Sequence, residues 1–99
     1  MTEKQKILIE ELGNYCFEKQ TYEFDFSIEM WGVLWMPWFV YINNENVKIS
    51  VNNIENSDLI ELTNLGLIEK VKEFDYSELD YPTEISRTKY RIKRSAQHT

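Results

Sequence analysis

The run from Met30 to Ile42 constrains the fold more than any other stretch of the chain. It contains all three tryptophans and the longest apolar stretch of the sequence. It is shorter than the roughly 20 apolar residues that cross a bilayer, and Pro37 lies within it, so a membrane-spanning helix is disfavoured. The run therefore predicts a core segment that the rest of the chain covers. The alternative is that part of it stays exposed as an aromatic docking patch.

Length and composition predict one folded domain over residues 1–99, with a frayed tail over 94–99. The chain has 99 residues, of which 42% are hydrophobic and 14% aromatic, which suffices for one modest core and argues against disorder. The single cysteine, Cys16, excludes an internal disulfide and a multi-cysteine metal site, and it favours a reducing compartment. The first residues do not have the pattern of a secretory signal, so we expect a cytoplasmic protein.

Charge is unevenly distributed along the chain. The formal net charge is −6, and all 17 acidic residues precede residue 87. Non-specific affinity for nucleic acid depends on Lys and Arg displacing phosphate counterions, so the net charge disfavours it, and a protein partner is expected. The segment 87–99 has no acid and contains the basic residues Arg87, Lys89, Arg91, Lys93 and Arg94.

The amino-terminal segment predicts a helix over residues 3–18. Thr2 and Gln5 have the spacing of a capping box, and apolar residues then recur at helical intervals. Because this spacing persists beyond Gly13, we expect the helix to continue through that glycine. Cys16 lies on the apolar face, where a small buried hydrophobe is more common than a nucleophile.

Three strands are predicted next. Residues 22–29 alternate apolar and polar side chains, which is the period of a strand with one buried face. Residues 38–42 and 47–51 have the pattern of two hairpin arms, joined by the turn residues 43–46. The conformation of residues 30–37 stays open, because a proline interrupts a helical spacing there.

The C-terminal part predicts a second helix and another hairpin. An acidic cap residue with an acid three positions later opens the helix, and Gly66 stands where a helix ends, so we expect a helix over 57–65. Strands over 67–74 and 88–93 follow, joined by a loop over 75–87.

Together these elements predict a small single-domain α+β fold. The expected order is α-β-β-β-α-β-β, with the first helix packed on an antiparallel sheet, a short second helix and a wing-like hairpin at the C-terminus. The expected core contains Leu8, Leu12, Phe24, Phe26, Trp35, Phe39, Ile49, Leu62 and Val71.

Residues 58–71 and 89–93 resemble the last helix and the β-wing of winged-helix domains. The resemblance lies in the helix that ends at Gly66, the Leu67-Ile68 start of the next strand, and the later basic strand. It implies a helix that enters the DNA major groove and a wing that contacts the backbone or minor groove. Only the C-terminal part, about residues 57–93, matches. The stretch before it is too short for the preceding helix of a helix-turn-helix.

The terminal hairpin carries one set of candidate partner-binding residues. If Val71 points inward with Tyr90 and Ile92, the strand period places the basic side chains together on the opposite face. One interpretation is a solvated or charge-protected face, another is that these groups offset acids elsewhere, and a third is a contact surface for a polyanion or an acidic protein. The residues are Lys70, Lys72, Arg87, Lys89, Arg91 and Lys93.

Acidic residues form a second candidate set. Carboxylates on one face of a strand repeat about every 6.6 Å, close to the spacing of backbone phosphates. Such a row would suit an inhibitor of the kind that phages and mobile elements carry, which presents carboxylates to the basic cleft of a nucleic-acid enzyme. The alternative is that these acids only keep the domain soluble. The residues are Glu23, Asp25 and Glu29 on the strand, with Asp75, Glu78 and Asp80 in the loop.

No residue pattern indicates catalysis. His98, the only histidine, lies beside the C-terminus, where a general base would be poorly held. The three glycines are isolated, and the acidic loop 75–80 lacks the glycine and ligand spacing of a calcium site. We therefore expect no catalytic residue, metal or cofactor. The expected function is a non-enzymatic regulatory or adaptor domain that binds a protein, and the alternative is a winged-helix DNA-binding transcriptional regulator.

Overall fold

The computed structural model describes residues 1–30, 37–79 and 83–93 and shows the predicted α+β fold. None of the helices in these ranges is long and apolar enough to cross a membrane. The elements, in chain order, are α1 (Glu3–Glu18), β1 (Glu23–Glu29), β2 (Trp38–Ile42), β3 (Glu45–Val47), α2 (Asn56–Asn64), β4 (Ile68–Glu73), a 3-10 helix (Tyr76–Glu78) and β5 (Glu84–Ile92).

The five strands form one antiparallel sheet in the order β3-β2-β1-β5-β4. β1 lies at the centre, between β2 and β5. β5 also pairs with β4, so the hairpin that resembles a wing is part of the central sheet. Residues 48–55, which precede α2, contain no helix, and this agrees with the predicted order of elements.

The alternation of β1 gives the sheet two different sides. Phe24 lies opposite Tyr90 on the side covered by α1 and α2, which we call the helix side. Asp25 lies opposite Lys89 on the other side, which we call the outer side. The core therefore fills the space between the helices and the helix side, and charged residues line the outer side.

Most of the predicted core is confirmed. Leu8 and Leu12 of α1, Phe24 and Phe26 of β1, and Leu62 of α2 are all buried in one cluster. The half-buried Ile49 packs against that cluster, as expected.

Two predicted core positions are wrong. Val71 is 42% exposed, because β4 pairs Ile68 with Ile92 and Lys70 with Tyr90, so that positions 68 and 70, and not Val71, face the helix side. Phe39 pairs with Ser27 and so lies on the outer side, where it is half-buried. Trp35, the remaining predicted core residue, lies outside the described residues.

The first hairpin turns earlier than the sequence suggested. Asn43 and Asn44 both have positive φ, 53° and 65°, as in a two-residue type I′ turn. Asparagine tolerates this left-handed conformation, so the turn needs only two residues and not the predicted four. β3 consequently spans Glu45–Val47, and the predicted strand over 47–51 is wrong beyond its first residue.

β5 is longer than predicted. It begins at Glu84, four positions before the expected start at residue 88, because its first residues pair with the end of β1. The predicted loop over 75–87 therefore includes the 3-10 helix and the start of this strand.

α1 begins and continues as the sequence predicts. The Thr2 hydroxyl accepts from the Gln5 N–H, and the Gln5 side chain accepts from the Thr2 N–H. The helix runs through Gly13, which is buried. Cys16 is fully buried, and this burial raises the pKa of its thiol to about 11. The thiol is therefore protonated at neutral pH, and Cys16 is a buried hydrophobe as predicted.

Both helices end with a residue in the left-handed conformation. In α2 that residue is Gly66, with φ 78°, as predicted, and in α1 it is Gln20, with φ 57°. In each case the N–H of the next residue donates to a carbonyl of the last helical turn, which is a Schellman motif. A residue with a Cβ in this conformation costs about 1 kcal/mol relative to glycine.

We predict that Gln20→Gly raises the free energy of unfolding by about 0.5 to 1 kcal/mol, because glycine adopts the left-handed conformation without strain. Urea denaturation measures the change. The matched control is Gly66→Ala, where a Cβ meets nothing within 4 Å. Gly66→Ala should therefore lower the free energy of unfolding by about 1 kcal/mol through backbone conformation alone. Destabilisation by Gln20→Gly would contradict this explanation.

Candidate functional site

The outer side brings the predicted acidic row and the predicted basic residues together. Arg87 Nη2 lies 2.6 Å from Asp25 Oδ2. Arg91 Nη2 lies 2.9 Å from Glu23 Oε2. Lys89 Nζ lies 3.7 Å from Asp25 Oδ1. These ion pairs follow from the register, because β1 and β5 are antiparallel neighbours and place the two sets opposite each other.

Arg87 is the centre of this outer-side cluster. Its guanidinium carbon lies 5.0 Å from the centroid of the Tyr41 ring and 5.4 Å from that of the Phe74 ring. Its Nε donates to Asp25 Oδ2 at 2.8 Å. Asp25 is 7% exposed and Glu84 is 4% exposed. Carboxylates this buried require charge-assisted hydrogen bonds, and Arg87 supplies them to Asp25.

Two hydroxyl groups complete the cluster. The fully buried Ser27 donates to Glu84 Oε2. The Tyr41 hydroxyl donates to Glu29 Oε2 at 2.8 Å. Burial, followed by this hydrogen bond, raises the pKa of Tyr41 to about 12. The predicted acidic row is thus engaged by groups of the same chain, and it does not form the free carboxylate surface that mimicry of phosphates requires.

The six predicted basic residues do not share one face. Lys70 pairs with Tyr90 on the helix side, whereas Lys72, after the bulge in β4, pairs with Lys89 on the outer side. The expectation of a single face was wrong because it assumed that Val71 points inward, whereas Ile68 and Lys70 are the positions of β4 that face the helix side.

The predicted loop acids do not form one cluster with the strand acids. Glu78 lies 2.6 Å from Lys72 Nζ, and the exposed Asp75 caps the 3-10 helix. Asp80 lies outside the described residues, and Lys93 is exposed just beyond β5. Within the three described ranges, no group of three or more His, Cys, Asp or Glu residues could hold a metal ion.

The starts of the two helices are joined by a buried polar contact. The Gln5 side-chain amide donates to Asp58 Oδ1 at 2.9 Å and to Glu61 Oε2 at 2.7 Å. Lys4 Nζ lies 2.9 Å from Asp58 Oδ2. Burial alone would raise the pKa of Asp58, but hydrogen bonds from Gln5, from the Glu55 N–H and from Lys4 hold that pKa below its usual value. This contact fixes α2 against α1.

A groove of about 570 Å³ opens between α2, β4, β5 and the 3-10 helix, and its lining includes the charged residues Lys70, Glu73 and Arg87. Its origin is a mismatch of lengths. The nine residues of α2 span about 14 Å, whereas the nine residues of β5 span about 30 Å. The helix therefore leaves part of the sheet uncovered.

The groove has an apolar floor and an exposed apolar rim. Phe26 and Tyr90 contribute to the floor. Ile60 on α2 is 59% exposed, and Tyr76 on the 3-10 helix is 65% exposed. Exposed apolar side chains on opposite walls of a concave surface are typical of an interaction site.

A second depression, of about 680 Å³, follows β2, β3 and the segment 48–53. Its apolar lining includes Trp38, Ile49 and Val51, which are half-buried and already pack against the core. None of the strongly exposed apolar residues in the described ranges lines it. The groove beside α2 is therefore the stronger candidate site.

Polar side chains with unused hydrogen-bonding capacity also line the groove beside α2. Among the described residues, Asn56 and Asn64 of α2 and Ser86 and Thr88 of β5 make no side-chain hydrogen bond or ion pair. The two asparagines are eight positions apart on one wall, about 12 Å along the helix axis. The groove can therefore bind an apolar group and polar groups on either side of it.

Neither Ile60 nor Tyr76 was among the predicted site residues. Ile60 lies outside the Leu59, Leu62 and Leu65 stripe of the second helix, and an apolar residue off the stripe is a usable signal of an exposed contact. Tyr76 had no such signal, because its place on the groove wall depends on how the segment after β4 folds back.

Comparisons of the chain with protein-family models, curated proteins and solved structures found no match. The geometry of the described residues is therefore the basis of the functional assignment, and the resemblance to a winged helix stays a prediction.

We predict that Arg87→Met lowers the free energy of unfolding by about 3 kcal/mol, because the buried Asp25 carboxylate loses both hydrogen bonds from the guanidinium and keeps only Lys89 Nζ at 3.7 Å. Urea denaturation measures the loss, and adding Asp25→Asn should recover part of it. The control is Arg91→Met, whose half-exposed side chain should cost far less. Equal losses for the two arginines would contradict the central role of Arg87.

We predict that Asp58 contributes to the pH dependence of stability. The pKa of Asp58 is lower in the folded chain than its usual value. The contribution of Asp58 to the free energy of unfolding is thus complete above the pKa of the unfolded chain, about 3.9. It is lost as the pH falls through the lower pKa of the folded chain. Urea denaturation from about pH 6 to about pH 2.5 gives the free energy of unfolding as a function of pH. In Asp58→Asn the slope of this free energy against pH should be smaller. An unchanged slope would refute the assignment.

Proposed function

We propose that this chain is a non-enzymatic protein-binding domain of a regulator or adaptor, and that it binds its partner in the groove beside α2. The observation that carries the proposal is the pair of exposed apolar side chains, Ile60 and Tyr76, on opposite walls of an apolar concave surface. Covering such side chains releases apolar area from water at about 25 cal/mol per Å², which gives a partner a reason to bind there.

The DNA-binding alternative has less support from the described residues. α2 contains Asp58 and Glu61 and no Lys or Arg, whereas major-groove recognition depends on cationic side chains. The segment 48–55 supplies no helix to complete a helix-turn-helix, and the β4–β5 hairpin is tied into the sheet through β1.

A phage-type or mobile-element inhibitor is one form that such a regulator takes. The strand carboxylates considered for that role are held by Arg87 and Arg91, so the groove is the surface that we assign to the partner. The buried Cys16 suits a reducing compartment, and the cytoplasm is the location that we propose.

A pull-down from cell lysate with matched variants tests the proposal. We predict that Ile60→Gln loses the partner, because a polar side chain on the rim removes the apolar contact. The control is Leu65→Gln, since Leu65 ends the same helix and is 52% exposed but does not line the groove. If the unsubstituted chain, Ile60→Gln and Leu65→Gln all recover the same protein in equal amounts, binding in the groove is contradicted.

A gel-shift assay separates the two candidate functions. The proposal expects no DNA binding at physiological salt, because the net charge is −6. Tight DNA binding that survives physiological salt would favour the winged-helix alternative instead.

A further inference from the structure

We infer that an extended peptide segment with one acidic residue binds along the free edge of β2, in the depression that β2, β3 and residues 48–53 line. This site goes beyond the proposed function, because no described residue lines both the depression and the groove beside α2. Three features support it: unpaired backbone groups on β2, an apolar surface beside them, and the charge of the lining.

β2 extends beyond the strand that pairs with it. The last residue pair between β2 and β3 is Val40 with Val47, although β2 begins two residues earlier, at Trp38. The Glu29 N–H donates to the Pro37 carbonyl, so Pro37 and every second residue after it direct their backbone groups to β1. Trp38 therefore directs its N–H and C=O away from β1, and within the described ranges no backbone group pairs with them.

The chain itself does not continue β3 along this edge. The Tyr15 hydroxyl donates to the Lys48 carbonyl at 2.7 Å, and the Ser50 N–H donates to Glu11 Oε1 at 2.8 Å. These contacts hold the segment after β3 against α1, and residues 48–51 contain no strand. The depression of about 680 Å³ is lined by this segment and by β2.

An apolar surface lies beside the free backbone groups. Trp38, Ile49 and Val51 line the depression and are half-buried. In an added strand, the residue opposite Trp38 places its side chain on the same face as Trp38, so an apolar residue there would cover these side chains. Addition of a strand to a sheet edge is a common mode of peptide recognition, in which backbone hydrogen bonds give affinity and alternate side chains give specificity.

The charge of the lining favours an acidic occupant over a basic one. Among the described residues that line the depression, Lys48 is the charged one, and it is exposed. Its ammonium group makes no ion pair with a described residue. A carboxylate of the occupant would gain a charge-assisted hydrogen bond from Lys48, whereas a lysine there would meet a like charge. The net charge of −6 opposes a run of acids at long range, so a single acidic residue fits best.

Fluorescence anisotropy with labelled, end-blocked hexapeptides at physiological salt tests the inference on the full chain. The probe alternates valine and threonine, with glutamate in place of the central threonine. One control has lysine in place of the glutamate, and another has serine in place of every valine. Each control should bind at least about fivefold more weakly, because it lacks either the carboxylate or the apolar face. Equal binding of the lysine peptide would overturn the acidic occupant.

Two lysine variants assign the carboxylate contact. Lys48→Gln should weaken probe binding about fourfold, because it removes the cation from the lining. The matched control is Lys6→Gln, which makes the same charge change at an exposed position of α1 outside the depression. It should alter binding by less than about twofold, since distant charges are screened at physiological salt. Equal effects of the two substitutions would contradict a contact with Lys48.

Amide hydrogen exchange followed by NMR locates the bound peptide. With saturating probe, the Trp38 N–H should exchange at least about tenfold more slowly than in the free chain, because it gains a backbone acceptor. The Val40 N–H, which belongs to the pair with Val47, is the internal control and should change much less. A probe with methylated backbone nitrogens should bind weakly and give no protection. A Trp38 N–H that stays unprotected while the probe is bound would overturn the inference.

The substitution Ile60→Gln separates this inference from the proposed function, and it should leave probe binding unchanged. Probe binding that Ile60→Gln removes and Lys48→Gln does not would place the peptide in the groove beside α2 and overturn the inference alone. Protection of Trp38 by the probe, together with a lysate partner that is insensitive to Ile60→Gln, would contradict only the proposed function.

Protection of the Trp38 N–H without any peptide would also overturn the inference. If that protection is lost when a dimer dissociates on dilution, a second copy of this chain occupies the edge. If it persists in the monomer, residues 48–51 pair with β2 themselves. Sedimentation analysis of the same samples distinguishes these two outcomes.

Discussion

The sheet depends on the ion pair that the buried Asp25 carboxylate of its central strand makes with Arg87. β1 has a neighbour on each side, and Asp25 near its middle is only 7% exposed. Arg87 of β5 holds this carboxylate and lies beside the rings of Tyr41 of β2 and Phe74 just after β4. One guanidinium therefore joins four parts of the sheet. A side chain with fewer donors or no planar face would not make all of these contacts.

The ion pairs on the outer side also decide which charged side chains of the molecule remain without an ion pair. The cations of β5 are engaged by β1 acids on the outer side, so a basic surface does not form there in spite of the basic sequence. The acids without an ion pair remain on the helices and their caps. The charged residues that line the groove beside α2 are Lys70, Glu73 and Arg87, and each of them is held in an ion pair.

The groove itself is a consequence of unequal element lengths. α2 ends at the Gly66 cap after nine residues, while β5 continues along the sheet for more than twice that distance. The 3-10 helix encloses the uncovered end without filling it. Ile60 of α2 and Tyr76 of the 3-10 helix line this groove and are exposed.

Local signals were sufficient to predict much of the fold. α1 spans the predicted residues 3–18, β2 spans the predicted 38–42, and α2 ends beside Gly66 as expected. In each case the determining interactions lie within a few residues: the Thr2–Gln5 capping box, the helical spacing, and the glycine in the left-handed conformation. The order of the elements and the α+β class followed from the same local patterns.

The candidate site could not be predicted in this way. Arg87 and Asp25 are 62 residues apart, and only the β1–β5 register brings the two charged sets onto one side and neutralises them. The pairing of Ile68 with Ile92 in β4 and the short turn at Asn43 gave faces and strand lengths that differ from those predicted from the sequence. The sequence by itself therefore determined the helices, most of the strands and the core residues, because these depend on neighbouring residues. Only the tertiary structure decided which charges remain free and where the groove lies, because both depend on distant strands and on the relative lengths of packed elements.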